Sequence, residues 1–339
     1  MSVVESNHEA GQKTREDDRK HVLHSWSIKS KIDPLPIARA EGRYLWDFDG
    51  NRYLDFSSQL INVNIGHQHP KVIAAIKAQA DKLATIAPQH AVASRGEAAA
   101  RIADLAPAGM NKVFFTNGGA EATENAVRMA RLHTGRFKVL NHYRSYHGAT
   151  NGAITLTGDP RRWPSEPGMP GVVKFWGPYA YRSAFHSSSE AEECQRALQH
   201  LDDVLMVEGA HTVAAIIVET VVGTNGILVP PDGYLAGLRE RCDRHGILLI
   251  CDEVMSGFGR TGKWHALEYQ HSIPGHADLA PVVQRQRTRA QVPVRIGPFA
   301  GGVEAADDGG SILGFEFDAL SLAPRILAHE LVDRAFEHA

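Results

Sequence analysis

The sequence predicts an α/β fold, a mostly parallel sheet flanked by helices. Three observations carry this. Lys112–Phe115, Ala214–Val218 and Ile247–Cys251 are continuous apolar runs of four or five residues, as expected of parallel strands buried on both faces. Helical stretches alternate with them, Glu121–His133 and Leu235–His245 among them. The 339 residues are 43% hydrophobic and 22% charged, near globular norms and long enough for about two domains.

Taken in order, the chain divides into four parts. Residues 1–24 are polar, carry charges of both signs and predict a flexible arm. Residues 25–95 form an amino-terminal segment. Within it, residues 41–56 read as two short aromatic-rich strands either side of the turn Asp49-Gly50-Asn51. Val72, Ile76, Ala80 and Leu83 then recur at helical spacing, with Pro70 near the helix start. Residues 96–270 hold the alternating runs, so ligand sites are expected where their strands end and loops begin. Residues 271–339 change in character: no lysine follows Lys263, Gln284–Arg289 reads QRQRTR, and residues 300–311 are rich in Gly, Asp and Ala. Only Leu322–Glu337 keeps a helical pattern there.

Composition narrows the function. A net charge of −3 is too balanced for a protein that grips nucleic acid. Cys194, Cys242 and Cys251 are too few for a disulfide framework, and the histidines show no zinc-type spacing. No apolar stretch approaches the roughly 20 residues that span a bilayer, and the first residues have no apolar secretory core. A cytoplasmic protein that binds neither membrane nor metal is expected.

Three segments have residues suited to chemistry. In residues 112–131 an apolar strand runs into Thr116-Asn117-Gly118-Gly119-Ala120 and a helix opens at Glu121. Adjacent glycines allow close backbone approach, and a helix start offers N–H groups to an anion. An ordinary tight turn is the alternative. Next, Tyr146-His147-Gly148 puts an aromatic face and an imidazole beside flexible backbone. The ring suits stacking on a planar cofactor, or plain core packing. Finally, Asp252 and Glu253 end a buried run, as Glu219 ends another. A carboxylate there needs a cation, a protonated ring nitrogen or a helix cap.

The order of these motifs resembles the class III, pyridoxal-phosphate-dependent aminotransferases. Gly-Gly-Ala-Glu-Ala from Gly118, Tyr146-His147-Gly148, Ile217-Val218-Glu219-Thr220 and the run Cys251-Asp252-Glu253-Val254 through Gly257-Phe258-Gly259-Arg260-Thr261-Gly262 all carry it. So do Asp49–Asp55 and Asn64–Pro70, and the resemblance covers residues 26–270 before it stops. It implies the large domain of a fold type I transferase, with the small carboxyl-terminal domain truncated or altered. The implied cofactor is pyridoxal 5'-phosphate, and the partners are an amine, a keto acid such as pyruvate and a second copy in a homodimer. Gly118, Gly119 and Ala120 then hold the cofactor phosphate. Many relatives have a hydroxyl residue at the place of Ala120, so one hydrogen bond worth about 0.5–1.5 kcal/mol is absent. Tyr146 stacks on the pyridine ring with His147 beside it, Asp252 pairs with the ring nitrogen, Val254 packs on the other face, and Glu219 lies near the ring oxygen. Ser57, Ser58, Gln59 and Leu60 line the substrate entrance, and their wording resembles members acting on ω-amines, β-alanine or taurine.

One expected residue is missing. The family's Schiff-base lysine belongs about thirty residues after the aspartate, which falls near Pro281 in a segment without lysine. Two readings follow: an aminotransferase with impaired turnover, altered by a change of reading frame or a fusion, or a protein that binds the cofactor or a partner subunit without turnover.

Overall fold

The computed structural model describes residues 7–25, 27–107 and 109–268, together with the backbone of 311–315. The chain divides into two units, with the boundary between His90 and Ala91 rather than at the expected residue 95.

The first unit opens on helix α1 (His8–His21), where the sequence predicted a flexible arm. The helix has capping and charge signals at both ends. The Asn7 side chain accepts the Ala10 N–H, Glu9 lies in the first turn, and Arg19, Lys20 and His21 lie in the last. Gly11 is its buried position, where a Cβ would come within 2.9 Å of the Phe48 side chain. Strands β1 (Ile37–Glu41), β2 (Tyr44–Asp47) and β3 (Arg52–Leu54) form an antiparallel sheet. The hairpin expected at Asp49-Gly50-Asn51 joins β2 to β3. Its clamp is the Asp47 carboxylate, which accepts from the backbones of Asp49 and Asn51, the Asn51 amide and the Tyr53 hydroxyl. After the short kinked helix α2 (Ser58–Ile61) comes α3 (Pro70–Lys82), with proline in its first turn as predicted.

The second unit begins with α4 (Ala93–Leu105), β4 (Met110–Phe115) and α5 (Gly119–Thr134). It continues through β5 (Lys138–His142), α6 (Asn151–Leu156), β6 (Val172–Phe175) and α7 (Glu190–Glu208). Then follow β7 (Val213–Glu219), α8 (Tyr234–His245) and β8 (Leu248–Asp252). Strand β9 (Ser311–Phe315) pairs in parallel with β4. Of the tail expected over 271–339, the neighbourhood of Pro281 and the pattern Leu322–Glu337 lie outside the described residues.

The four-stranded sheet has the order β6-β5-β7-β8, all parallel. All seven residues of β7 are buried. Ile216 and Val218 pack with Leu201, Leu205, Leu238 and Tyr234 on one face, while Ala215 and Ile217 pack with Val127 and Ala130 on the other. This two-sided burial is why the β7 run is continuous rather than alternating, whereas β4, expected to be buried likewise, has only Met110 buried. From β5 the chain steps outward to β6, then returns to the opposite side of β5 as β7. That reversal opens a crevice at the carboxyl ends of β5 and β7.

His142, the last residue of β5, is buried with its Nε2 2.8 Å from the Tyr234 hydroxyl. Burial, aided by the charge of His147, pushes its pKa down from 6.5 to about 3. Its contribution to stability is therefore present above pH 6.5 and is lost as the pH falls toward about 3, where only the unfolded chain binds the proton. The wild type should lose up to about 1.4 kcal/mol per pH unit more than the His142→Phe/Tyr234→Phe double variant across that window. Denaturant unfolding at stepped pH measures the difference, and parallel acid limbs would contradict it.

Candidate functional site

The segments that follow β5, β7 and β8 meet at the carboxyl edge of the sheet. Tyr146 and His147 follow β5, Glu219 ends β7, and Asp252 ends β8. Glu219 and Asp252 are register partners on neighbouring strands, so two carboxylates sit side by side at one sheet edge.

His147 bridges to this edge. Its Nδ1 lies 2.7 Å from Asp252 Oδ2, with the imidazole fully buried and the carboxylate 11% exposed. The backbone of His147 is held at both ends: its N–H donates to Thr157 Oγ1 at 3.0 Å, and its carbonyl accepts from Thr123 Oγ1 at 3.2 Å. Nε2 of the same ring is buried and has no partner among the described residues. The second oxygen of Asp252 accepts the Val254 N–H at 3.0 Å. Val254 itself is half exposed.

Glu219 faces the backbone. One oxygen accepts the Tyr146 N–H at 2.9 Å and the other the Gly223 N–H at 2.7 Å. Burial pushes its carboxyl above the usual range and the Asp252 charge adds to this, while His147 and the two N–H donors pull the other way. Glu253 turns away from Asp252. It accepts the N–H groups of Ala266 and Leu267 at 3.0 and 2.8 Å, so it closes the 253–268 loop.

Helix α5 opens at Gly119, and no side chain caps its start. Among the described residues, the N–H groups of Gly118, Gly119 and Ala120 meet no acceptor, as at any open helix start. Glu121 folds back onto the Asn117 backbone and amide, at 2.9 and 3.0 Å. Gly148 lies against this helix end with φ of +133°, and a Cβ there would come within 2.6 Å of the Ala120 Cβ. Only glycine lets the Tyr146-His147-Gly148 turn approach so closely.

The structure thus brings together Gly118, Gly119, Ala120, Tyr146, His147, Glu219, Asp252 and Val254 within the second unit. Ser57, Ser58, Gln59 and Leu60 belong to the first unit, in and beside α2. There the Asp55 carboxylate accepts from Ser57 Oγ, the Gln59 N–H and His67 Nε2. Sequence reasoning missed Thr123, Thr157, Asp159 and Arg161. The threonines give no signal in the sequence, whereas Asp159-Pro160 is a recognisable cap-and-proline turn and the Asp159 side chain does cap it. Among the described residues no cluster could hold a metal ion, and no helix is long and apolar enough to cross a membrane.

Comparison with known proteins adds to this geometry. Residues 27–282 match the family model for class III aminotransferases, a dozen residues beyond the expected limit of 270. The chain is 37% identical over 248 residues to acetylornithine aminotransferase from Methanopyrus kandleri, covering 73% of this chain and 58% of that protein. It is 32% identical over 337 residues to acetylornithine aminotransferase from Methanosarcina mazei, covering 99% of this chain and 78% of that one. Among solved structures, taurine:2-oxoglutarate aminotransferase from Bifidobacterium kashiwanohense, in complex with PLP and glutamate, superposes with a TM-score of 0.74. That likeness has 43% identity and covers 77% of this chain and 59% of that one. The chain thus spans about three-fifths of the Methanopyrus and Bifidobacterium proteins.

The Gly148 contact yields a direct expectation. Gly148→Ala should cost about 1–3 kcal/mol by forcing apart the turn and the start of α5. Thermal unfolding measures it, and an unchanged midpoint would show that the close approach is not required.

Proposed function

The chain belongs to the class III aminotransferase family, and from that premise we propose that its second unit holds pyridoxal 5'-phosphate for amino transfer from an amine or ω-amino acid to a keto acid. Class III aminotransferases use this cofactor, which when bound supplies an electron sink at the substrate's amine-bearing carbon. The observation that carries the reading is the buried His147–Asp252 pair beside an open helix start.

The residues present fit the cofactor. Gly118, Gly119 and Ala120 offer backbone N–H groups to its phosphate. Asp252 would hold a proton on the ring nitrogen, and the buried imidazole of His147 bonds that carboxylate and keeps it aimed. Tyr146, its backbone pinned by Glu219, and the exposed Val254 would pack against the cofactor ring. Ser57, Ser58, Gln59 and Leu60 belong to the substrate entrance in this reading. A donor of the ω-amine, β-alanine or taurine kind is supported by their wording and by the 43% identity to the taurine enzyme. The reading extends to a homodimer in a reducing cytoplasm. Its support is three unpaired thiols and the exposed Phe56, Leu60 and Ile65, apolar surface suited to a second copy.

Turnover is a separate matter. No lysine follows Lys263, so the attachment residue implied by the resemblance is absent. Lys138 and Lys174 of the second unit are engaged with Glu208 and the Thr155 carbonyl. Lys112 and Lys263, the unit's other two, are exposed and lie away from the implied place, so in this reading the cofactor would be held without a covalent bond, and loss of a positioned lysine base alone costs roughly 10²–10⁴ in rate.

Titration of the full chain with pyridoxal 5'-phosphate, followed by borohydride reduction and peptide mass spectrometry, tests both parts. Saturable binding that weakens at least roughly tenfold in Asp252→Ala, with no uniquely labelled lysine, is expected. One uniquely labelled lysine would overturn the non-covalent reading, and absence of binding would overturn the cofactor site itself.

A further inference from the structure

Tyr146 has a neighbour that its proposed stacking role does not explain. The guanidinium of Arg161 lies over the Tyr146 ring, 3.9 Å from its centroid, close enough for cation–π attraction. Arg161 comes from the segment after α6, fifteen positions along the chain.

The guanidinium is clamped. Its Nε lies 2.9 and 3.1 Å from the two Asp159 oxygens, and one terminal nitrogen bonds both Asp159 and Thr224 Oγ1, the latter at 2.7 Å. Asp159 is buried and is itself anchored by the Arg161 N–H at 2.9 Å and the Asn225 amide at 3.2 Å. Burial alone would raise its carboxyl, but the Arg161 side chain and backbone bonds bring it below the usual range. The clamp thus joins the loop after α6 to the loop after β7, the same loop whose Gly223 N–H Glu219 holds.

We propose that Arg161, locked by Asp159, is a positioning residue that covers one face of Tyr146 and sets the ring's orientation for the cofactor. This rests on the cofactor reading given above. The Glu219 bond sets where the Tyr146 backbone sits, and Arg161 sets how its ring turns. A lysine keeps the charge but loses both the planar fork and the bidentate grip on Asp159, so it is not an equivalent.

The test uses the full chain loaded with pyridoxal 5'-phosphate. The readouts are the visible circular dichroism of the bound cofactor, its retention on dialysis, and the thermal midpoint. Arg161→Met, Arg161→Lys and Asp159→Asn should each weaken retention roughly 3- to 10-fold and reduce the cofactor's dichroism. The Arg161→Met/Asp159→Asn double variant should lose little more than either single one, because Asp159 acts through Arg161. Arg161→Lys keeps a cation near Asp159 and so reports even if the other variants fail to fold. Wild-type dichroism and retention in a folded Arg161→Lys or Arg161→Met variant would overturn the inference while leaving the cofactor reading intact. No cofactor signal in the wild type would overturn both.

Discussion

Two carboxylates side by side at the edge of a buried sheet are the constraint on which the second unit depends. Glu219 and Asp252 are register partners, both largely withdrawn from water. Burial pushes the Glu219 carboxyl up, and the neighbouring Asp252 charge adds to that push. The fold answers with different partners for each. Glu219 takes two backbone N–H groups, and Asp252 takes the imidazole of His147 and the N–H of Val254. Each partner must be held in turn, which accounts for Thr123 and Thr157 on either side of His147.

Packing makes this arrangement stiff. β7 is buried along its whole length between two helical layers, so its end cannot shift without disturbing both clusters. The loops beyond the strands are tied to one another. Gly148 seats the Tyr146 turn on the start of α5, and Asp159 with Arg161 links the loop after α6 to the loop after β7. The proposed site thereby falls on irregular segments whose ends are fixed by rigid strands.

Much of this was legible in the sequence because the strongest signals are short-range. The runs now seen as β7 and β8 are continuous and aliphatic, β4 ends in Val113-Phe114-Phe115, and the Asp49-Gly50-Asn51 turn and Pro70 mark their elements directly. Helix α1 was misread because it is polar nearly all round; its evidence lies in Asn7, in the charges at its ends and in the contact of Gly11 with Phe48, which only the fold reveals. Asp252 and Glu253 look alike as text, yet one faces His147 and the other caps the Ala266 turn. The Arg161–Tyr146 contact joins residues from two separate loops, and no local pattern encodes it.

The proposed site would orient a planar, anionic, nitrogen-containing cofactor, whereas covalent attachment requires a lysine that the sequence does not supply at the implied place. The central claim is that Asp252, aimed by His147, keeps the cofactor's ring nitrogen protonated. The most direct measurement is the ¹⁵N chemical shift of ring-labelled pyridoxal 5'-phosphate bound to the full chain at neutral pH. A shift in the pyridinium range, moving to the free-pyridine range in Asp252→Ala, is the predicted result. A free-pyridine shift in the wild type would contradict the account.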